Sequence, residues 1–153
     1  MRNLIFALLL VSSPAWAGDP LVPDPNLTPG IFLADATVDK ICQKGYTATV
    51  RHVTEAQRNK VFSDYGIPRS GEYEVDHLIS LELGGSNSNG NLWPQAYRGY
   101  WNARIKDILE NRLHDLVCMG KIPLSEAQYV ISHNWIESYC KYVPSANCKG
   151  LEK

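Results

Sequence analysis

Two long stretches in the second half of the chain carry apolar residues at helical spacing. The first covers residues 101–117 and is followed by Gly120 and Pro123, which are typical of a helix end. The second begins at Ser125 with the capping-box pattern SEAQ and continues to about Tyr142. The pattern therefore predicts two amphipathic helices. The polar face of the first helix carries Asn102, Lys106, Glu110 and His114.

The first half of the chain has shorter signals. Residues 46–50 combine tyrosine, threonine and valine, a composition that favours a short strand. Thr54 opens another capping-box pattern, TEAQ, which predicts a helix to about Tyr65 that ends at Gly66. Residues 18–33 are rich in proline, and we expect them to form an extended arm.

Between the two halves, residues 73–83 alternate between apolar and polar side chains, as a half-buried strand does. A loop of glycine, serine and asparagine begins at Gly84. Leu92 and Trp93 then form a short return strand that Pro94 closes. The order of strand, loop, strand and helix predicts an α+β domain in which a β-hairpin packs against helices.

The amino terminus has the pattern of a secretory signal peptide. Arg2 supplies the positive start, and residues 4–11 are apolar. Ala15 and Ala17, on either side of Trp16, form the small-residue pattern of a cleavage site. The apolar stretch is too short to span a bilayer, which takes about 20 residues. We therefore expect residues 1–17 to be removed and the protein to be exported, either to the periplasm or into the medium. Residues 34–153 are expected to form a single domain.

The four cysteines are interpreted through this expected export. An even number in an oxidising compartment favours two disulfides. Three pairings are open, and we favour Cys140 with Cys148 around a short loop, which leaves Cys42 with Cys118. No CxxC pair is present, and this argues against a structural zinc site.

Charge limits the classes of function. The 153 residues carry 15 basic and 16 acidic side chains, so the chain is slightly acidic. This balance argues against a general nucleic-acid coat protein, which binds by neutralising phosphates, but it allows an enzyme with a local basic strip. Such a strip comprises Arg98, Arg104, Lys106 and Arg112, interleaved with Tyr97, Tyr100 and Trp101. The alternative interpretation of these residues is a solvated helix face over core aromatics.

The hairpin region contains a motif that resembles a known family. Asp76 and His77 are followed by the glycine pair of GGSN and then by the Asn91-Leu92 pair. This run resembles the HNH, or His-Me finger, nucleases, and the flanking runs ICQKGYTATVR and WNARIKDILENRLHDLVC resemble small exported bacterial members. The resemblance implies a disulfide-stabilised ββα-metal hairpin-helix core with additional flanking helices.

The resemblance also implies an activity and a division of roles. The chain is expected to be an endonuclease that hydrolyses phosphodiester bonds in nucleic acid, with DNA expected before RNA. His77 would take a proton from the attacking water. Asp76 would hold one divalent cation, expected to be Mg²⁺ with other divalent ions open, which stabilises the departing 3′ oxygen. Asn91 would orient the His77 ring.

The third metal position is the point where the chain departs from the family pattern. Many members have a histidine where this chain has Tyr100, and the candidate ligand here is Asn102. Lys106, one helical turn later, could contact a phosphate, together with Arg104 and Arg98. A solvated lysine is the alternative interpretation of Lys106.

Strand geometry raises a further question about the motif. Strict alternation sends Asp76 and His77 to opposite faces, so both can approach one ion only if the strand twists or bulges there. Glu74 and Glu82 share the Asp76 face and could substitute as ligands, or they could be solvated edge charges.

Two further interpretations of function remain open. One is an exported binding or interaction domain that keeps the hairpin scaffold without turnover. The other is an antibacterial nuclease effector, which would need an immunity protein as partner. The remaining histidines, which we expect on the surface or at helix caps, are His52, His114 and His133.

Overall fold

Five α-helices and a two-stranded antiparallel sheet make up the computed structural model, which describes residues 22–144, 146 and 148. The predicted signal peptide and residues 18–21 of the arm lie outside the described residues. The architecture is mixed helix and sheet, in agreement with the predicted class. The elements in chain order are α1 (Val38–Ile41), α2 (Tyr46–Val50), α3 (Glu55–Asp64), β1 (Tyr73–His77), β2 (Leu92–Ala96), α4 (Ala103–Cys118) and α5 (Leu124–Tyr142).

Local signals account for α3. The Thr54 side chain accepts a hydrogen bond from the Gln57 backbone N–H at 3.2 Å, and the Gln57 side chain accepts one from the Thr54 N–H at 3.0 Å. Gly66 follows the helix with φ of 63°, a left-handed conformation that suits glycine. The predicted capping box and the predicted end of this helix are both confirmed.

Residues 46–50 form the helix α2, so the predicted strand there is wrong. The Thr49 hydroxyl donates to the Tyr46 carbonyl at 2.7 Å, within the turn of the helix. The only sheet in the described residues is the β1–β2 pair, which leaves this segment without a strand partner. Its β propensity is therefore overridden, because that propensity reflects packing on a sheet more than backbone preference.

The strand β1 ends at His77, although the alternating pattern continues to Leu83. Asn91 uses its side-chain amide to bond both the N–H and the carbonyl of Ile79, at 2.9 Å and 3.0 Å, so these groups are not available to a strand partner. The chain then turns through a 3₁₀ turn at Leu81–Leu83. The predicted strand was therefore too long at its carboxyl end.

Two consecutive glycines shape the loop that follows. Gly84 has φ of 77° and ends the 3₁₀ turn. A Cβ at Gly85 would lie 1.8 Å from the carbonyl oxygen of Ile79, so no larger residue fits. Beyond the loop, β2 continues through Pro94, which lies opposite Val75, rather than ending there.

The core lies between α4 and α5, and both helices contribute most of the apolar stripes predicted from the sequence, although Ile108 on the α4 stripe is 45% exposed. Trp101 packs edge-on against Trp135 at 5.9 Å and against Tyr139 at 5.7 Å, measured between ring centroids. The fully buried members of the core include Leu83, Leu109, Leu113, Ala127 and Ile131.

The helix α5 differs from its prediction at two points. Its N-cap is Pro123, and no side chain caps it, so the capping box predicted at Ser125 does not form. The helix also bends at Asn134, where φ is −157° and ψ is 86°. The Ser138 hydroxyl donates to the Val130 carbonyl at 2.8 Å across the bend, and this replaces a helical hydrogen bond.

Both disulfides have the pairing that we favoured, Cys42 with Cys118 and Cys140 with Cys148. The first joins the end of α1 to the end of α4 across 76 positions of sequence. Two disulfides are compatible with an extracellular or periplasmic protein. Within the described residues, no helix combines the length and the apolar character needed to cross a membrane.

The described part of the arm is attached to the hairpin loop. The Leu33 N–H donates to the Gly84 carbonyl at 2.8 Å, and the Ser86 N–H donates to the Ile31 carbonyl at 2.8 Å. Thr28 is buried, and its hydroxyl donates to the Leu92 carbonyl at 2.8 Å. The boundary that we expected at residue 34 therefore separates residues that pack together.

Candidate functional site

Asp76 and His77 end β1 and lie on opposite faces of the hairpin. Asp76 is directly opposite Trp93, and His77 is directly opposite Leu92, in a register that continues without a bulge through all five pairs of the two strands. Directly opposed residues in an antiparallel pair project to the same face. The bulge that would bring both side chains to one ion is therefore not formed.

On the Asp76 face, a buried lysine from α4 is enclosed by oxygens. The Lys106 ammonium donates to Asp76 Oδ2 at 2.7 Å, to the His77 carbonyl at 2.7 Å and to the Glu110 carboxylate. An ammonium has three N–H groups, so each of them has an acceptor. Lys106 is 0% exposed, and this closed arrangement differs from the solvated helix face predicted at positions 106 and 110.

The electrostatics of this cluster keep the lysine charged. Burial by itself lowers the pKa of Lys106, but its interactions with Asp76 and Glu110 outweigh burial and raise that pKa above its usual value. Burial also raises the pKa of Glu110, to about 8, although the charge of Lys106 opposes that shift. Burial also raises the pKa of Glu74 and of Asp107, and the negative charge of Asp76 adds to both shifts. Asp76 is therefore the centre of an acidic region whose nearest cation is Lys106.

The predicted basic strip does not form one continuous surface. Lys106 is inside the protein, where two carboxylates compensate for its loss of hydration, so it has no N–H to offer a phosphate. Arg98 pairs with Glu72 at 2.8 Å, and Arg112 donates to a carbonyl at the end of α5 at 3.1 Å. Arg104 is exposed. Of the substrate-binding residues predicted from the sequence, only Arg98 and Arg104 therefore reach the surface.

Asn102 caps the amino terminus of α4. Its Oδ1 accepts from the Ile105 N–H at 3.2 Å, and its Nδ2 donates to the Gly99 carbonyl at 2.7 Å. Both polar atoms of the side chain are therefore engaged, while the Asp76 carboxylate is engaged by Lys106. The donor pair predicted for a divalent cation, Asp76 with Asn102, does not fit such an ion in this arrangement.

Among the described residues, three ligand-type side chains converge at a different place, around Cys42, His114 and Cys118. The two sulfurs form a disulfide and are not available as thiolate ligands. The His114 ring lies 3.1 Å from the Ile41 carbonyl and 3.4 Å from Cys118 Sγ. We interpret this histidine as a structural residue beside the disulfide.

On the opposite face of the hairpin, one amide determines how the His77 ring is bonded. Asn87 donates from Nδ2 to the Val50 carbonyl at 2.7 Å and accepts at Oδ1 from the His52 N–H at 3.3 Å. These two backbone groups fix which way the amide is turned. Because Asn87 Oδ1 also lies 3.1 Å from His77 Nε2, that ring nitrogen must carry the proton. In the neutral ring, Nδ1 is then the proton acceptor.

The surroundings also keep this ring neutral. Burial lowers the pKa of His77. The hydrogen bond to Asn87 and the negative charge of Asp76 oppose that shift, and the charges of Arg51 and Lys106 add to it. The residue is 4% exposed. A neutral imidazole with an assigned donor and an assigned acceptor is the protonation state that a general base requires.

Asn91 has a different task from the one that we expected. Its side chain is 0% exposed and bonds the backbone of Ile79 and, through Nδ2 at 2.9 Å, the Ser86 carbonyl. Asn91 therefore holds the loop between β1 and β2 through backbone hydrogen bonds, while Asn87 bonds the His77 ring. The SNSNGN run contains asparagines at alternate positions, and sequence spacing cannot tell which of them reaches the histidine.

Arg51 is a neighbour of this site that the sequence analysis missed. It lies between Val50 and His52, the two residues whose backbones bond Asn87, and it is exposed. Its positive charge acts to lower the pKa of both His77 and Asp107. The sequence signal was only its place at the end of the ICQKGYTATVR run.

No protein-family model, curated protein or solved structure gives a significant match to this chain. The resemblance to HNH nucleases therefore stays a prediction that rests on the motif residues of the sequence. Their arrangement is a hairpin that presents Asp76 and His77 on opposite faces, followed by a helix that bonds Asp76 through Lys106.

Proposed function

We propose that this protein is an exported endonuclease of HNH type that hydrolyses phosphodiester bonds in nucleic acid, with His77 as the general base. One observation carries the proposal: the Asn87 amide, fixed by two backbone groups, assigns the ring proton to Nε2 and leaves Nδ1 as the acceptor. A hairpin followed by a helix that bonds its aspartate is compatible with a ββα unit.

The proposed step is an in-line displacement at phosphorus. His77 Nδ1 takes one proton from a water molecule as the water oxygen forms a bond to phosphorus. The bond from phosphorus to the 3′ oxygen breaks, and this oxygen takes a proton from solvent. Asn87 accepts the Nε2 hydrogen bond throughout, so it also stabilises the imidazolium that forms.

Arg51 is the residue that we propose to bind the scissile phosphate. It is exposed, and its backbone neighbours are bonded to the same amide that bonds His77. A guanidinium matches the geometry of a phosphate with two parallel donors. This assignment replaces the one we predicted for Lys106, whose donors are all engaged inside the protein.

The proposed location rests on the disulfides and on the amino-terminal pattern, and the proposed substrate rests on the resemblance to HNH nucleases. The two disulfides are compatible with an oxidising compartment, and the pattern of residues 1–17 favours export. DNA is the proposed substrate, and RNA is the first alternative. An immunity protein is the partner that an antibacterial effector of this kind would need.

The test is a cleavage assay on supercoiled plasmid and on RNA, with purified protein. We expect His77→Ala to lower the cleavage rate by about 10² to 10⁴, the range typical of a general base. His133→Ala is the matched control, because His133 is exposed and stacks on Tyr129, with 3.8 Å between the ring centroids. Circular dichroism checks that both variants fold. Absence of cleavage, or equal rates for wild type and His77→Ala, would refute the nuclease.

A second candidate, a binding domain without turnover, is favoured by a specific observation. Both His77 and Lys106 are almost completely buried, at 4% and 0% exposed, as in a scaffold held together by its polar groups. A titration with DNA separates the two functions. Binding that Arg51→Ala weakens, with no hydrolysis over hours, favours the binding domain.

A further inference from the structure

The oxygens around Lys106 have the composition of a hard-cation site. Three oxygen groups point at one position: Asp76 Oδ2, the Glu110 carboxylate and the His77 carbonyl. The ammonium nitrogen lies 2.7 Å from Asp76 Oδ2 and 2.7 Å from the His77 carbonyl oxygen. Carboxylate and carbonyl oxygens are the donors that Mg²⁺, Mn²⁺ and Ca²⁺ prefer. In this chain, a positive charge from α4 already occupies that position.

The lysine ammonium and a metal ion cannot both occupy the position among these oxygens. Divalent ions bind oxygen at about 2.0 to 2.6 Å, so an ion bonded to the same oxygens would overlap the ammonium. Moving the ammonium out of this position would cost free energy, because Lys106 is 0% exposed and its three donors would each lose an acceptor.

We propose that Lys106 is the resident cation of this site and takes the place at Asp76 that a divalent metal ion would otherwise occupy. Asp76 is then a positioning residue that fixes α4 to the hairpin, and not a metal ligand. Its catalytic consequence rests on the proposed function: cleavage that depends on His77 proceeds in EDTA.

Replacing the lysine should uncover the latent metal site. Asp76 and Glu110 have side chains only 17% and 12% exposed, so without Lys106 two carboxylates would face each other with no counter-charge. A divalent ion can neutralise both. Lys106→Met retains most of the aliphatic stem and removes only the charged end.

Mn²⁺ binding is the test, measured on the EDTA-treated full chain by calorimetry and by paramagnetic broadening of signals near Asp76. At millimolar Mn²⁺, we expect the wild type to have no Mn²⁺ site that depends on Asp76. Asp76→Asn should therefore leave its Mn²⁺ titration unchanged. We expect Lys106→Met to bind Mn²⁺ and to gain thermal stability from it, as a ligand of the folded state does. The double variant Asp76→Asn with Lys106→Met should lose both effects. Arg104→Met, an exposed position on the same helix, is the control.

Two results would overturn the inference. One is Mn²⁺ binding by the wild type that Asp76→Asn abolishes, and the other is a folded Lys106→Met that binds no Mn²⁺. If Lys106→Met does not fold even with Mn²⁺, the wild-type titration decides. These readouts are separate from activity, so the nuclease proposal can fail for lack of cleavage while the metal titration still judges Lys106.

Discussion

The two faces of the hairpin are built on neighbouring residues and have opposite electrostatic designs. On the Asp76 face, an ammonium is closed in by three oxygens and all of its donors are engaged. On the His77 face, the Asn87 amide engages one ring nitrogen and leaves the other as an acceptor. The same motif therefore supplies a rigid charged connection on one side and a neutral proton acceptor on the other.

The largest effect is expected on the Asp76 face. Lys106→Met, measured in EDTA, should lower the free energy of unfolding by about 3 to 5 kcal/mol, because it leaves buried carboxylates without a counter-charge. Urea denaturation measures this loss. Arg104→Met should stay within about 0.5 kcal/mol of the wild type, as exposed substitutions do. Equal losses in the two variants would show that the ion cluster is not the connection described here.

The second-largest effect on the free energy of unfolding is expected in the loop that joins β1 to β2. Gly85→Ala places a Cβ 1.8 Å from the Ile79 carbonyl oxygen, so the backbone bonded by Asn91 must shift. We expect a loss of roughly 1 to 3 kcal/mol in unfolding free energy. Gly71→Ala is the control, since a Cβ there meets no atom within 4 Å. If Gly85→Ala matches that control, the close approach at the loop is not a constraint on stability.

On the His77 face, Asn87→Ala removes the bonds to the ring, to Val50 and to His52. We expect a loss of about 1 to 2 kcal/mol, since each hydrogen bond contributes modestly in net terms. Nitrogen chemical shifts of the His77 ring should show Nε2 protonated in the wild type and a mixture of tautomers in the variant. Asn89→Ala is the matched control, because the Nδ2 of Asn89 has no partner among the described residues. An unchanged ring spectrum in Asn87→Ala would contradict the assigned tautomer.

The smallest effect is a pH dependence from His77. Burial lowers its pKa in the folded state, so below about pH 6.5 the unfolded chain binds a proton that the folded protein does not. Stability should therefore fall as pH drops through about 6.5, until the lower folded pKa is reached. His77→Gln should reduce this slope and the exposed His133→Gln should not. The acid limit of cleavage should also lie below about pH 6.5, and a limit above it would contradict the lowered pKa.

Local chemistry was sufficient to predict some elements of the fold. The Thr54 capping box and Gly66 delimit α3 through contacts within a few residues, and both are visible in the sequence. The helix α2 was mispredicted because its residues favour a strand only when a sheet is beside them. The carboxyl end of β1 was mispredicted because Asn91, 12 positions later, bonds the Ile79 backbone that the strand needed.

Local patterning is enough to predict that Asp76 and His77 are neighbours on one strand, and strand geometry then sends them to opposite faces. The two helical stripes predicted most of the residues of α4 and α5 that face the core, whereas Lys106, on the predicted polar face, is buried. The partners of these two side chains depend on packing: Asp76 bonds Lys106, which lies 30 positions away, and His77 bonds Asn87, one asparagine among several in the loop. The physical reason is that a buried charge or ring nitrogen is satisfied by the group that packing brings within hydrogen-bond distance, and no local pattern specifies that group.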